Sequence, residues 1–98
     1  MDVFKAIADP TRREILALLS KSDKSAGEIA EQFQMSKPAI SKHLDILKSN
    51  NLITVEKQGQ FMIYSINTTA MQNIYLKVME VFHGFQEQSV SDEEASEH

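Results

Sequence analysis

Ser41, His43 and Asp45 are, by residue type, a hydroxyl nucleophile, a general base and the carboxylate that would orient it. Their spacing forbids that chemistry. On a helix, side chains two positions apart point away from each other, and His43 stands two from each of the others. No other segment offers an activated nucleophile or a glycine-rich phosphate loop. Glu28 and Glu31 read as a helix cap and a solvated face rather than a catalytic pair, so no enzymatic activity is expected. Metal chemistry is the next candidate. Cysteine is absent, which removes thiolate ligands, disulfides and thiol redox sensing. Glu80, His83 and Glu87 fall at helical spacing and, doubled across a dimer, could face a divalent ion, but a strong zinc site wants more imidazoles. No metal site and no cofactor are expected.

The segment 36–49 carries a different chemistry. At 100° per residue, Ile40, Leu44 and Leu47 share one face of a helix, which must be core. Pro38, Ser41, Lys42 and Asp45 fall on the opposite side, with Lys37 and Lys48 flanking Ser41. Small residues at the helix tip, the hydroxyls of Ser36 and Ser41, and the lysines suit a helix entering a major groove: little bulk, donors for base edges, cations for phosphates. The plainer reading is a solvated helix face. Asp45 argues for it, since a carboxylate repels phosphate unless it accepts from a cytosine amino group.

Several elements must position that face. Asp9-Pro10 starts a helix through Leu19, with Asp9 as N-cap and Pro10 in the first helical position. Ile15, Leu18 and Leu19 form its apolar stripe, widened by Leu16. A shorter helix precedes it, with Val3, Phe4 and Ile7 on one side. Ser25 with Glu28 has capping-box form and opens a helix bearing Ile29, Ala30 and Phe33. Gln34-Met35 ends it, and Ser36 caps the helix 37–49, in whose first turn Pro38 costs no hydrogen bond. Helix, three-residue turn and helix make a helix-turn-helix. Ile53 to Ile66 then alternates in strand fashion around Lys57-Gln58-Gly59-Gln60, a two-stranded hairpin. A last helix starts near Asn67-Thr68-Thr69. Its stripe is Met71, Ile74, Tyr75, Val78, Met79, Phe82 and Phe85, and Leu76 and Val81 make it apolar on more than one side.

The fold class expected is therefore mainly α with a small two-stranded β-wing. One domain spans 1–87, followed by an acidic disordered tail, 88–98. The net charge of −4 conceals this division: through residue 86 there are ten bases against nine acids, a balance of +1. DNA affinity would have to come from local clustering of Lys and Arg. The longest apolar run, Ile15–Leu19, is far too short to span a bilayer, and Met1-Asp2-Val3-Phe4-Lys5 has no secretory pattern. A cytoplasmic protein without membrane insertion is expected.

Asp9-Pro10-Thr11-Arg12-Arg13 followed by Ile15-Leu16, then Ser41-Lys42-His43-Leu44, Gly59 and Tyr64-Ser65-Ile66 resemble the ArsR-type winged-helix repressors. The resemblance covers residues 2 to about 86. Phe4-Lys5-Ala6-Ile7, Ser36-Lys37-Pro38 and Gly59-Gln60-Phe61 are similar to the cysteine-free sporulation-delay autorepressor subgroup of that family. The resemblance implies a bacterial homodimeric transcriptional repressor on an inverted-repeat promoter operator, its own promoter included. It implies that Ser36, Lys37, Pro38, Ala39, Ser41 and Lys42 face DNA, with His43 at the helix–DNA margin and the terminal helices forming the dimer. Lys48 and the wing residues Lys57, Gln58 and Gln60 complete the expected DNA surface. Many wings of this family carry arginine, so a wing with Lys57 alone predicts a weaker salt dependence.

A small domain buries a modest share of its surface, and oligomerisation compensates. The expected dimer residues are Val3, Phe4 and Ile7 of the first helix with Ile74, Leu76, Val78, Val81, Phe82 and Phe85 of the last. A twofold dimer would set two reading helices about one turn of DNA apart. The alternative is a winged helix used for protein docking, or a repressor sequestered by a protein partner, membrane-embedded in the relatives the resemblance suggests.

Overall fold

A computed structural model of the protein describes the backbone of residues 2–97 and the side chains of residues 2–86. Residues through Thr68 form one compact unit, and those from Thr69 form a second.

In the first unit, the helices are α1 (Val3–Ala8), α2 (Pro10–Lys21), α3 (Ala26–Phe33) and α4 (Lys37–Ser49). Each starts at a side chain able to accept from the orphan N–H groups of a first turn. Asp2 accepts from the Lys5 amide at 2.9 Å and Asp9 from that of Arg12 at 3.0 Å. Ser25 and Glu28 form a reciprocal capping box, at 3.2 and 3.0 Å, and Ser36 accepts from the Ala39 amide at 3.3 Å. The three-residue turn 34–36 lies between α3 and α4 as expected. Gln34 closes α3 in the left-handed region (φ 54°), with its amide on the Glu31 carbonyl and that of Met35 on the Ala30 carbonyl. Asn51 (φ 60°) closes α4 the same way and drops Leu52 directly into the core. Both are Schellman closures made without glycine.

The expected hairpin is β2 (Ile53–Gln58) and β3 (Phe61–Ile66), running in register from Ile53 opposite Ile66 to Gln58 opposite Phe61. The two-residue turn Gly59-Gln60 joins them, with Gly59 at φ +64°, where a side chain would be strained. A third strand extends the two-stranded expectation. β1 (Lys24–Ser25) pairs antiparallel with β3, Lys24 opposite Tyr64, so the sheet order is β1-β3-β2.

The core is Ala6, Ile15, Leu16, Leu19, Ile29, Ala30, Ile40, Leu44, Leu47, Leu52 and Ile53. It is wholly apolar: among the described residues no polar side chain is buried. Each large aliphatic here contributes about 1.5–3 kcal/mol by leaving water. Leu18 and Phe33, expected in the stripes, are half-buried at the rim.

The last helix, α5 (Thr68–Glu97), makes up the second unit from Thr69 on. Its backbone has no break at 87, where the sequence suggested a domain edge and a disordered tail. After Gly84 the chain contains neither Gly nor Pro, and Glu, Gln and Ala are helix formers. Side chains from Glu87 onward lie outside the described residues. Tyr75, Leu76, Val78, Val81, Phe82 and Phe85 are exposed. Among the described residues no helix is long and apolar enough to cross a membrane.

Candidate nucleic-acid interface

The burial of Ile40, Leu44 and Leu47 fixes the rotation of α4 about its axis and so decides what it shows to solvent. Ser36, Lys37, Pro38, Ser41, Lys42 and Lys48 are exposed, and Ala39 is half-buried. The sequence-based surface is thus assembled along one helix. Ser36 has a double duty: its oxygen caps the helix, leaving the hydroxyl proton to donate outward. Among the described residues, neither the Ser41 hydroxyl nor the Lys42 ammonium has a partner within the chain. Lys37 crosses the first turn of α3, where a Cβ on Gly27 would lie 3.5 Å from its Cε. Asp45 is exposed too, and its charge acts on Tyr64 of β3. Burial raises the Tyr64 hydroxyl pKa first, and the Asp45 carboxylate adds to the shift.

His43, expected at the margin of that surface, is half-buried. Its side chain is 21% exposed and faces α2, with Nδ1 3.4 Å from Arg12 Nη1 and 3.9 Å from Asp9 Oδ2. The Asp9 carboxyl is held below its usual range, chiefly by the hydrogen bond from the Arg12 amide, helped by the charges of Arg12 and His43 against some desolvation.

Sequence reasoning did not assign roles to the two arginines. The last four carbonyls of a helix have no partner within it. In α1 these are Lys5, Ala6, Ile7 and Ala8, and the arginines cover all of them. Arg12 Nε donates to Ala6 O at 2.6 Å and Nη2 to Lys5 O at 3.3 Å. Arg13 Nη1 donates to Ile7 O at 2.9 Å and Ala8 O at 2.8 Å. Asp9-Pro10-Thr11-Arg12-Arg13 therefore ends one helix and begins the next. The clue in the sequence was a short helix followed at once by two long cations, which can reach back to its carbonyl end.

At the wing, Lys57, Gln58 and Gln60 are exposed, as expected. Phe61 and Met62 are exposed with them, at 64% and 45%. Phe61 stands opposite Gln58, directly beside the turn. Of the expected dimer residues, Phe4 is half exposed, Val3, Ile7 and Ile74 are half-buried, and the remaining α5 residues are exposed. Among the described residues no three His, Asp or Glu side chains gather to hold a metal ion. Glu87, one of the three weighed for that role, lies outside them.

Residues 9–55 match the model of the bacterial regulatory protein family arsR. Over 72 residues the chain is 57% identical to the transcriptional repressor SdpR of Bacillus subtilis, covering 74% of this chain and 80% of that one. It is 40% identical over 65 residues to the arsenical resistance operon repressor of Staphylococcus xylosus, covering 66% and 62% of the two chains. Among solved structures, an ArsR-like transcriptional regulator from Rhodococcus sp. RHA1 superposes with a TM-score of 0.76 at 28% identity, covering 91% of this chain and 84% of that one.

Proposed function

The chain belongs to the ArsR family of DNA-binding winged helix-turn-helix regulators, and from that premise we propose that it represses transcription as a homodimer on an inverted-repeat operator in a promoter, its own included. In this reading α4 lies in the major groove. Its first half, Pro38, Ala39 and Ser41, meets base edges, while Ser36, Lys37, Lys42 and Lys48 meet phosphates. The wing residues Lys57, Gln58 and Gln60 touch the flanking backbone. A second copy covers the exposed apolar residues of α5 together with those of α1. That pairing supplies the twofold symmetry an inverted repeat requires. No metal ion takes part in regulation.

The observation that carries the reading is the face of α4. A wholly apolar inner side locks the helix, and the outer side presents Ser41 and Lys42 without partners in the chain. Lys42→Glu tests the reading. It replaces a phosphate-binding cation with a repelling anion at an exposed site, so sequence-specific DNA binding should be lost while the thermal melt stays within a degree or two of wild type. Near-native affinity in that variant would remove α4 from the interface.

A further inference from the structure

We propose that Arg12 is a positioning residue for the DNA-reading helix, acting through the unprotonated Nδ1 of His43, and that His43 serves recognition from behind rather than by touching DNA. The inference rests on the reading of α4 given above. It starts from one guanidinium that joins three segments. Nε and Nη2 of Arg12 sit on the carbonyls of Ala6 and Lys5, and Nη1 reaches His43 on α4. The guanidinium is planar and rigid, so atoms bound at its edges are held at fixed separations. The carbonyl end of α1, the start of α2 and the middle of α4 are thereby tied through one side chain.

The chemistry of the contact fixes the state of the ring. A guanidinium only donates, so Nδ1 must accept, and the ring proton then sits on Nε2. Asp9 Oδ2 competes for the same atom from 3.9 Å, but only for a ring that carries a proton on Nδ1. His43 follows Lys42 directly and lies two positions from Ser41, so holding His43 sets the phase of both. Turning the helix by about 10° moves a group at its side-chain surface by roughly 1 Å, enough to spoil a hydrogen bond to a base edge. The apolar contacts of Ile40, Leu44 and Leu47 hold α4 in place. A directional contact on its flank adds the angular precision that dispersion alone does not give.

The test compares His43→Asn, His43→Ala, Arg12→Lys, Arg12→Ala and the double alanine variant. Affinity for the protein's own upstream DNA, its salt dependence and the thermal melt are measured for each. Asn places its Oδ1 near the position of Nδ1 and has nothing at Nε2. The proposal expects His43→Asn to bind within about twofold of wild type. His43→Ala and Arg12→Ala should each weaken binding about five- to tenfold, and the double variant no further, as contacting residues couple. The salt slope should be unchanged throughout, because neither side chain meets phosphate. Arg12→Lys, which keeps the charge but cannot span three acceptors, should bind like Arg12→Ala. Should Arg12→Ala fail to fold, the His43 pair and Arg12→Lys decide the matter. His43→Asn as weak as His43→Ala, or additive losses, would mean that His43 reads DNA directly and would overturn the proposal. So would a salt slope smaller by about one per lost phosphate contact in Arg12→Ala. Long-range ¹⁵N–¹H spectra of the free protein give a readout without DNA. An Nε2–H tautomer whose accepting Nδ1 resonance shifts in Arg12→Ala supports the contact even if the upstream DNA is not bound, whereas an Nδ1–H tautomer in wild type, or an Nδ1 resonance that does not respond to Arg12→Ala, refutes it.

Discussion

Asp9 is where the physical account can be tested most sharply. The residue follows α1 directly, and its carboxylate caps α2 through the Arg12 amide at 3.0 Å and lies near His43. Asp9→Ala removes the cap, which costs about 0.5–2 kcal/mol for an N-cap acid. For a domain of this size each kcal/mol shifts Tm by roughly 4–8 °C, so the melt should fall by about 2–16 °C at pH 7. Asp9→Asn keeps an accepting oxygen and should lose only a few tenths of a kcal/mol. The pH dependence has a definite sign. The folded-state pKa of Asp9 lies below its ordinary value of 3.8. Its stabilisation is therefore complete above that unfolded value and disappears as pH falls through the lower folded one. The gap between wild type and Asp9→Ala should be widest near neutrality and close below about pH 4. Circular-dichroism melts at pH 7, 5 and 3, at one protein concentration because a dimer's Tm depends on it, give the comparison. Equal melts at pH 7, or a gap that widens in acid, would refute the capping argument.

Two further predictions concern assembly and regulation. Phe82→Glu, which places a charge on an exposed apolar stretch of α5, should convert the dimer into a monomer in sedimentation at micromolar concentration and weaken operator binding with it; a wild-type monomer at that concentration would contradict the dimer. DNA affinity should be the same with Zn²⁺ or Ni²⁺ as with chelator, and a metal-dependent change of tenfold or more would restore the metal-sensing alternative.

The elements were legible wherever a local rule governs them. Asp9-Pro10, Ser25 with Glu28, and Ser36 all cap as their spacing foretold, because an N-cap needs only a side chain and the amide three residues on. Gly59 marked the wing turn for a similarly local reason, its left-handed backbone. The buried side of α4 followed from the helical period of Ile40, Leu44 and Leu47. What escaped was non-local or unmarked. β1 is two residues long, too short to show any period, and exists only because Tyr64 and Ile63 of β3 pair with it. Gln34 and Asn51 take a conformation usually signalled by glycine. His43 and Arg12 stand 31 positions apart, and only the packing of α2 against α4 brings them together. The family resemblance placed His43 at the helix–DNA margin, and no local pattern signalled its contact with Arg12. The helical continuation past residue 87 was hidden by acidity, which reads as a tail although Glu and Ala also favour helix.

The central claim, that α4 reads a DNA sequence, is tested most directly by fluorescence anisotropy of the purified protein on its own upstream intergenic DNA. The titration is run with excess random competitor at two salt concentrations. The account predicts saturable binding that survives the competitor and weakens as salt rises. Binding that the competitor abolishes at both salts, or that does not respond to salt, would contradict it.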